Sequence, residues 1–190
     1  AYEMLRSLVG SEMCIRDRVN VVPADVRLET YVRGKTLEAI LDASAKVDKA
    51  FRAGGDAVGA ATRITNVPGY LPIFQDPTLT EIACRNGREL LGDRGALEAG
   101  FMGGSFDVGD LSHLIPVIHP FVTGTKGHLH TAEFTITDYE AAVVLPAKLM
   151  ALCVVDLLAD GGAEARRVKQ GFTPRLTKAA YLELMERLSR

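Results

Sequence analysis

The sequence predicts an α/β protein made of two successive parts, and three observations lead to this fold class. A segment of alternating apolar and polar residues near the N-terminus is followed by an amphipathic helical pattern and a second strand-like run. From Leu71 the composition changes, and several helical patterns are separated by short strand-like runs. The two parts meet at about Gly69 to Asp76 without a flexible linker. Strand, helix and strand in succession indicate the tail of a small α+β unit, whose helix covers one face of an antiparallel sheet.

The first strand is predicted at residues 26–33, where apolar or β-branched residues alternate with polar ones and Gly34 follows. A period of two is typical of a strand with one buried and one exposed face. The exposed face carries Arg27, Tyr31 and Arg33 and is left free to contact another molecule.

The helix that follows is predicted from Leu37 to Phe51, because apolar residues recur there at helical spacing. Gly54-Gly55 is the expected stop of this helix. Ala60 to Val67 is predicted to be the second strand, which Pro68-Gly69 closes. These elements complete the first part of the fold.

The second part begins with a strong helix signal. Asp76 is a favourable N-cap residue, and Pro77 follows it at the first helical position. An apolar stripe runs from Leu79 to Leu90, and Gly92 is the expected stop. The further predicted elements are a strand at Leu97 to Phe101, a loop from Met102 to Asp110, a strand at Leu114 to Val122, a buried helix with almost no polar face at Tyr139 to Ala159, and helical patterns at Arg166 to Lys169 and Tyr181 to Leu188, the last capped by Thr177.

Composition excludes several classes of function. The chain has 190 residues, 24% of them charged, with a formal net charge of −2, which argues against a nucleic-acid-binding protein. The most apolar run, Ala141 to Val155, contains a proline and a lysine and is too short to cross a bilayer, so we expect no membrane association. Three widely spaced cysteines favour a reducing, cytoplasmic compartment over a disulfide framework.

The first eighteen residues are treated separately. The stretch from Ser7 to Arg18 looks like translated sequencing-adapter DNA, and the alternative is a native amphipathic segment. We therefore expect residues 1–18 to be non-native and the protein sequence to start, mid-protein, near Val19.

Two histidines one residue apart, His128 and His130, form the most conspicuous chemical motif. In an extended segment both side chains would point the same way and could reach one metal ion. A catalytic zinc needs about three protein ligands, however, so two polar loop histidines remain an alternative. His113 and His119, with Asp107 and Asp110, are either partners that orient a ligand histidine or ordinary loop residues.

Two further groups of residues could bind a small acid. Gly104 and Ser105 lie in a glycine-containing loop whose backbone N–H groups could hold a carboxylate, although a tight turn before a helix is the simpler interpretation of this loop taken alone. Asn20 and Arg33 flank the first predicted strand, and a guanidinium can hold a carboxylate with two hydrogen bonds. A solvated surface arginine is the simpler interpretation of Arg33 taken alone.

Together these residues resemble a known enzyme family. Asn20-Val21-Val22-Pro23, followed by an alternating strand with Arg33, resembles the lid segment of the aminoacylase and carboxypeptidase-G-like metallopeptidases. Three further segments resemble the branch that contains aminobenzoyl-glutamate hydrolases and related amidohydrolases. They are Pro68-Gly69-Tyr70-Leu71-Pro72, the stretch from Ser105 to His113, and the stretch from Asp138 to Val143.

The resemblance implies a fold and an activity. Residues 19–70 would be the C-terminal part of a ferredoxin-like lid that also forms a homodimer, and residues 71–190 the C-terminal part of an α/β metallohydrolase domain. The implied reaction is hydrolysis of the amide bond of N-acyl or aminobenzoyl amino acids. Two divalent metal ions, usually zinc, would activate water and polarise the amide oxygen.

The resemblance also implies roles for single residues. His130 matches the last metal ligand of the family, whereas His128 matches none. Asn20 and Arg33 match lid residues that hold the substrate, and Gly104 and Ser105 match the loop lining the substrate end of the cleft. The family's other ligands and its general base match nothing in this sequence, so no catalytic residue is assigned, and the chain is expected to be an inactive C-terminal fragment.

Two other hypotheses remain open at this stage. The chain could be a non-catalytic module that binds a small acid or forms dimers through Arg33 and the glycine loop. It could also be a mononuclear metal enzyme built on His128, His130 and an aspartate.

Overall fold

The computed structural model describes residues 8–14, 26–95 and 104–189, the first of these ranges by its backbone only. The described residues fall into two compact units, and the chain passes from one to the other at Pro72–Ile73. The first unit also takes Gly104–Phe106 and the residues from Leu182 onward. The elements are β1 (Leu8–Cys14), β2 (Arg27–Arg33), α1 (Leu37–Ala57), α2 (Pro77–Leu91), a 3₁₀ turn (Gly92–Gly95), α3 (Asp107–Ser112), β3 (Thr125–Lys126), β4 (Thr135–Ile136), a π-helical segment (Glu140–Val144), α4 (Leu145–Leu158), α5 (Ala163–Gly171) and α6 (Lys178–Leu188).

The strand predicted in the first unit is confirmed as β2. It pairs antiparallel with β1, in a register that sets Leu8 opposite Arg33 and Cys14 opposite Arg27. Strand β1, which pairs with β2, lies within residues 1–18, the segment that we expect to be non-native. The non-native origin of this segment stays a prediction. Val26 and Leu28 are exposed, so the expected half-buried character holds only towards the end of the strand.

The helix after β2 is longer than predicted. Thr36 caps α1, since its hydroxyl accepts a hydrogen bond from the N–H of Ala39 at 3.2 Å. Gly54-Gly55 was the wrong stop, because α1 continues to Ala57 and the chain turns at Gly59, whose φ is +71°. The strand predicted at Ala60–Val67 is also wrong, since this stretch is irregular. An apolar run becomes a strand only where a neighbour completes its hydrogen-bond ladder.

The second unit is organised around α2, whose predicted start and stop are both confirmed. The carboxylate of Asp76 accepts a hydrogen bond from the N–H of Leu79 at 2.8 Å, and Gly92 ends the helix with a φ of +63°. The predicted stripe faces inward, with Ile82 0% exposed and Asn86 2% exposed. Both α4 and α5 contact this helix.

The helix predicted at Tyr139–Ala159 exists, but the expectation that it is buried is wrong. None of the residues of α4 is buried, and Met150, Val155 and Leu158 are more than half exposed. With its π-helical start the segment has 19 residues and is long and apolar enough to cross a membrane, so the prediction that the apolar run is too short for this is wrong. Length and composition alone are weak evidence for a membrane span, because the core helix of a soluble protein shares both.

Three other predictions concern the second half of the chain, and the structure decides each of them. The loop expected up to Asp110 ends earlier, because α3 begins at Asp107. The strand predicted at Leu114–Val122 is wrong, and the segment is irregular; its two prolines cannot donate to a ladder. Thr177 is confirmed as a cap, since its hydroxyl accepts from the N–H of Ala180 at 3.2 Å. The strand predicted at Leu97–Phe101 lies outside the described residues.

Candidate functional site

The two histidines of the candidate metal motif lie in a β-hairpin, which we call the histidine hairpin (residues 125–136). Strands β3 and β4 pair antiparallel, with Thr125 opposite Ile136 and Lys126 opposite Thr135. Between them, the residues from Gly127 to Phe134 form a tight loop. The motif is therefore carried by a turn between two short strands.

The loop is held by local hydrogen bonds and by left-handed backbone. The carbonyl of His128 accepts from both the N–H and the hydroxyl of Thr131, at 3.3 and 2.8 Å. His130 has a φ of +65°, and Gly127 one of +88°. A Cβ at Gly127 would lie 2.5 Å from the carbonyl oxygen of Glu133, so only glycine fits there. The extended geometry that would aim both imidazoles at one ion is therefore absent from this loop.

The base of the histidine hairpin is joined to the helix that follows it. The carbonyl of Gly124 accepts from the N–H groups of Thr137 and Asp138, at 2.9 and 3.1 Å. A Cβ at Gly124 would lie 2.6 Å from the carbonyl oxygen of Asp138 and 2.8 Å from the nitrogen of Ala142. This close approach fixes the hairpin against the start of the π-helical segment, although both imidazoles at its far end are exposed.

Within the described residues, no three side chains of His, Cys, Asp or Glu come together as metal ligands. The resemblance implies a two-metal centre, so the donors on these parts of the chain do not fit that centre by themselves. A complete ligand set would need residues from elsewhere.

The other two histidines take part in packing. His113 is 4% exposed, its ring stands edge-on to Phe74 at 5.0 Å, and its carbonyl accepts from the N–H groups of Arg175 and Leu176. The backbone N–H of His119 donates to the side-chain oxygen of Gln75 at 2.7 Å. These contacts join α3 and the following loop to the segments around them, which is a structural role.

Three of the candidate substrate-binding residues, Arg33, Gly104 and Ser105, lie in the first unit. Arg33 ends β2, and its guanidinium lies 5.7 Å from the ring centroid of Tyr31. Gly104 and Ser105 are exposed and precede α3, and a Cβ at Gly104 would lie 3.0 Å from the ring of Phe106. Asn20 lies outside the described residues. His130 belongs to the second unit.

The two aspartates predicted near the histidines act within α3 and at its contact with α6. The carboxylate of Asp107 accepts from the N–H of Val108 at 2.8 Å, which is an interaction at the start of the helix. Burial, followed by the charge of Asp110 and a hydrogen bond to it, raises the pKa of the Tyr181 hydroxyl. Neither aspartate lies in the histidine hairpin.

A polar cluster between α2 and α4 was missed by the sequence reading. The carboxylate of Asp156 accepts hydrogen bonds from Arg85 and from the side-chain amide of Asn86, each at 2.9 Å. These two hydrogen bonds, that of Arg85 being the stronger influence, hold the pKa of Asp156 below its ordinary value. The position of Asn86 in the apolar stripe of α2 was the signal in the sequence for this polar cluster, because a buried amide needs hydrogen-bond partners.

A second cluster surrounds a cavity of about 140 Å³ at the start of α2. The guanidinium of Arg175 lies 3.6 Å from the ring centroid of Phe74. The hydroxyl of Ser112 donates to the carbonyl of Gly109 and accepts from the N–H of Phe74 at 3.0 Å. The polar groups of Ser112 and Asp76 are thus already engaged within the protein, which indicates structural roles for both.

Comparison with known proteins gives two related sequences. An Xaa-Arg dipeptidase of Mus musculus is 28% identical over 147 residues, which is 73% of this chain and 34% of that protein. An Xaa-Arg dipeptidase of Homo sapiens is 25% identical over 147 residues, with the same shares. The chain is a distant relative of dipeptidases.

The chain spans about a third of the length of these curated relatives. No family model matches the sequence, and no solved structure matches the fold. The similarity to the two dipeptidases supports the coarse part of the sequence prediction, a peptidase or amidohydrolase kind of function.

Proposed function

We propose that this chain is the C-terminal part of a metal-dependent amidohydrolase that cleaves N-acyl or aminobenzoyl amino acids. The observation that carries the proposal is the relationship to two Xaa-Arg dipeptidases over 147 residues. A dipeptide is an amino acid acylated on nitrogen by another amino acid, so the bond broken by a dipeptidase is of the proposed class. The narrower assignment to the aminobenzoyl-glutamate-hydrolase-like branch rests on the segments around Pro68, Ser105 and Asp138.

In this proposal His130 supplies one ligand of the metal centre. Its imidazole is exposed on a hairpin whose base is fixed at Gly124, so it could enter a site completed by other parts of the protein. The remaining ligands and the general base would come from residues outside this chain. The chain alone would then neither hold two divalent ions, expected to be zinc, nor turn over substrate.

In this proposal Arg33 would hold the substrate carboxylate and Asn20 the substrate carbonyl, and the loop containing Gly104 and Ser105 would line the substrate end of the cleft. A guanidinium suits this role, because its planar fork matches the two oxygens of a carboxylate. The first unit would act as the lid and as the contact of a homodimer. A cytoplasmic location accords with the free thiols of Cys84 and Cys153.

The proposal is tested by comparing His130→Ala with His128→Ala in the full-length protein. We expect His130→Ala to lose bound metal and more than about 100-fold in kcat/KM, since even a partner behind a ligand is worth 10–100-fold. His128→Ala should keep its metal content and its rate. The readouts are metal analysis and hydrolysis of N-acyl amino acids and dipeptides. Full metal content and full rate in His130→Ala would refute the assignment.

The alternative function is a non-catalytic module that binds a small acid or forms dimers. The described residues do not themselves assemble three metal ligands, which both proposals expect. If residues 19–190 unfold cooperatively as a stable monomer or dimer that binds a small carboxylic acid, the module is favoured. If that segment aggregates while the full-length protein hydrolyses amides, the enzyme is favoured.

A further inference from the structure

The histidine hairpin is joined to α4 by the π-helical segment Glu140–Val144, which we call the π turn. The N–H of Leu145 donates to the carbonyl of Glu140, five residues back, whereas an α-helix uses the carbonyl four residues back. A π turn therefore takes up about one residue more than an α turn, which corresponds to about 100° of helix rotation. Such turns are rare, so this one needs a physical cause.

Pro146, which follows the π turn, supplies this cause. Proline has no N–H group, and inside an α-helix its ring clashes with the carbonyl four residues back, which here belongs to Ala142. A continuous α-helix through both residues is therefore disfavoured. Proline is tolerated in the first turn of a helix, and Pro146 lies in the first turn of α4. The π turn lets the chain enter α4 without setting the carbonyl of Ala142 against the proline ring.

An ion pair across the π turn indicates the same helical register. The Nζ of Lys148 lies 2.9 Å from Oε1 of Glu140, although the two residues are 8 positions apart in the sequence. On a regular α-helix about seven residues complete two turns, so side chains eight positions apart lie about 80° apart around the axis. The additional residue in the π turn brings Glu140 and Lys148 onto one face of the helix.

The base of the histidine hairpin is packed directly against the π turn. A Cβ added at Gly124 would lie 2.8 Å from the nitrogen of Ala142 and 3.0 Å from its Cβ. The N–H of Asp138 donates to the carbonyl of Gly124, and the carboxylate of Asp138 accepts from the N–H of Ala141 at 3.0 Å. Beyond the π turn, Asp156 bonds α4 to α2. The rotation within the π turn therefore sets the direction in which the hairpin leaves α4.

We infer that Pro146 is a positioning residue, which maintains the π turn and thereby sets the direction in which the histidine hairpin presents His130. The inference deepens the proposed function and rests on it for the role of His130. The imidazole of His130 is exposed at the far end of the hairpin. A rotation of about 100° at the base would therefore move this imidazole to a different side of α4.

Three variants of the full-length protein test the inference. Pro146→Ala restores an N–H group and removes the ring, so residues 140–144 should become α-helical and the hairpin should turn by about 100° around α4. Pro146→Ala combined with deletion of the exposed Val143 should also be α-helical there. Because this segment is one residue shorter, the hairpin should return to its original direction. Pro77→Ala makes the same substitution in the first turn of α2 and is the matched control.

Crystal structures of the variants give the direction of the hairpin, and steady-state kinetics with N-acyl amino acids gives kcat and KM. We expect Pro146→Ala to lower kcat by about 100-fold, because displacements of about 1 Å already have effects of this size. The KM should stay nearly unchanged, because the substrate carboxylate is assigned to Arg33. The combined variant should regain most of the wild-type kcat. A merely structural role of Pro146 predicts the reverse, since the variant with the larger change would then be the more impaired.

Three outcomes overturn the inference. A π turn that persists in Pro146→Ala would show that the proline is not its cause. A hairpin that turns while kcat keeps its wild-type value would show that its direction has no role in function. An equal loss of kcat in Pro77→Ala would assign the effect to general destabilisation. A wild-type protein that does not hydrolyse N-acyl amino acids would contradict the proposed function, whereas the direction of the hairpin in the variants still decides the part of Pro146.

Discussion

Helices α2 and α4 contact each other, yet their burial is the reverse of what their compositions indicate. Helix α2 carries Arg85, Arg88 and other charged residues, but it contains Ile82, which is 0% exposed. Helix α4 is almost wholly apolar, but none of its residues is buried. The difference shows that burial of a side chain depends on the number of neighbouring elements around it, and only loosely on its own polarity.

The neighbours of the two helices explain the contrast. Helix α2 contacts both α4 and α5, and Arg167 of α5 pairs with Glu81 of α2 at 2.8 Å. This hydrogen bond holds the pKa of the Glu81 carboxyl below its ordinary value. Among the described elements, α2 and α5 contact one face of helix α4, and its apolar residues on the other face are exposed.

The largest effect expected from this contrast is at Ile82. Ile82→Ala removes a fully buried side chain from α2 and should lower the free energy of unfolding by about 2–5 kcal/mol, through lost transfer energy and a cavity. Met150→Ala on α4 removes a side chain that is 62% exposed and should change the free energy of unfolding by less than about 0.5 kcal/mol. Urea unfolding of the two variants measures the difference. Equal losses would mean that Met150 is buried in solution.

The sequence predicted α2 well because its limits are encoded locally. An Asp-Pro pair sets its start and Gly92 its end, and both signals act within a few residues. The interior stripe followed from helical periodicity. The same periodicity showed that α4 exists, but it could not show that one apolar face lacks a neighbour among the described elements.

Predictions failed where the structure depends on distant residues. The runs at Ala60–Val67 and Leu114–Val122 are apolar enough for strands, but a strand also requires a partner, and these stretches are irregular. The bonds of Asp156 to Arg85 and Asn86 join residues about 70 positions apart, which no local pattern specifies.

The candidate site was predictable only in part. The alternation of His128 and His130 identified them as candidate ligands. It could not predict the left-handed backbone that the structure shows at His130 and Gly127. Gly124 and Gly127, two glycines close together in the sequence, were the available signal for a turn. A ligand set of three or more side chains is not assembled within the described residues, so two histidines at alternate positions predicted a motif without a complete site.

A smaller effect is expected at the caps that begin the two helical segments. Asp76 is 5% exposed and accepts from the N–H of Leu79, whereas exposed Asp138 accepts from the N–H of Ala141 at 3.0 Å. Asp76→Ala should lower the free energy of unfolding by about 1–2 kcal/mol, and Asp138→Ala by about 0.5 kcal/mol. Asp76→Asn, which keeps an acceptor oxygen, should recover most of the loss. If Asp76→Asn is as unstable as Asp76→Ala, the carboxylate acts through its charge and the cap assignment is wrong.

The smallest effect concerns the contact between the two helices and depends on pH. Hydrogen bonds from Arg85 and Asn86 lower the pKa of Asp156 from its ordinary value of 3.8, so the folded state binds the proton less readily than the unfolded state. The resulting stabilisation is complete above about pH 5 and is lost as the pH falls through the folded pKa, below about pH 4. Asp156→Asn should therefore unfold with a weaker dependence on pH between about pH 5 and pH 2 than the wild type.

Arg85→Met is the matched variant for this titration, because it removes the larger of the two influences on Asp156. It should reduce the pH dependence as Asp156→Asn does, and the double variant should add little, since both changes remove one interaction. Urea unfolding at several pH values gives, for each of the three variants, the dependence of the free energy of unfolding on pH. A pH dependence equal to that of the wild type would show that this ion pair, whose side chains are 43% and 29% exposed, is screened by water and does not fix α4 to α2.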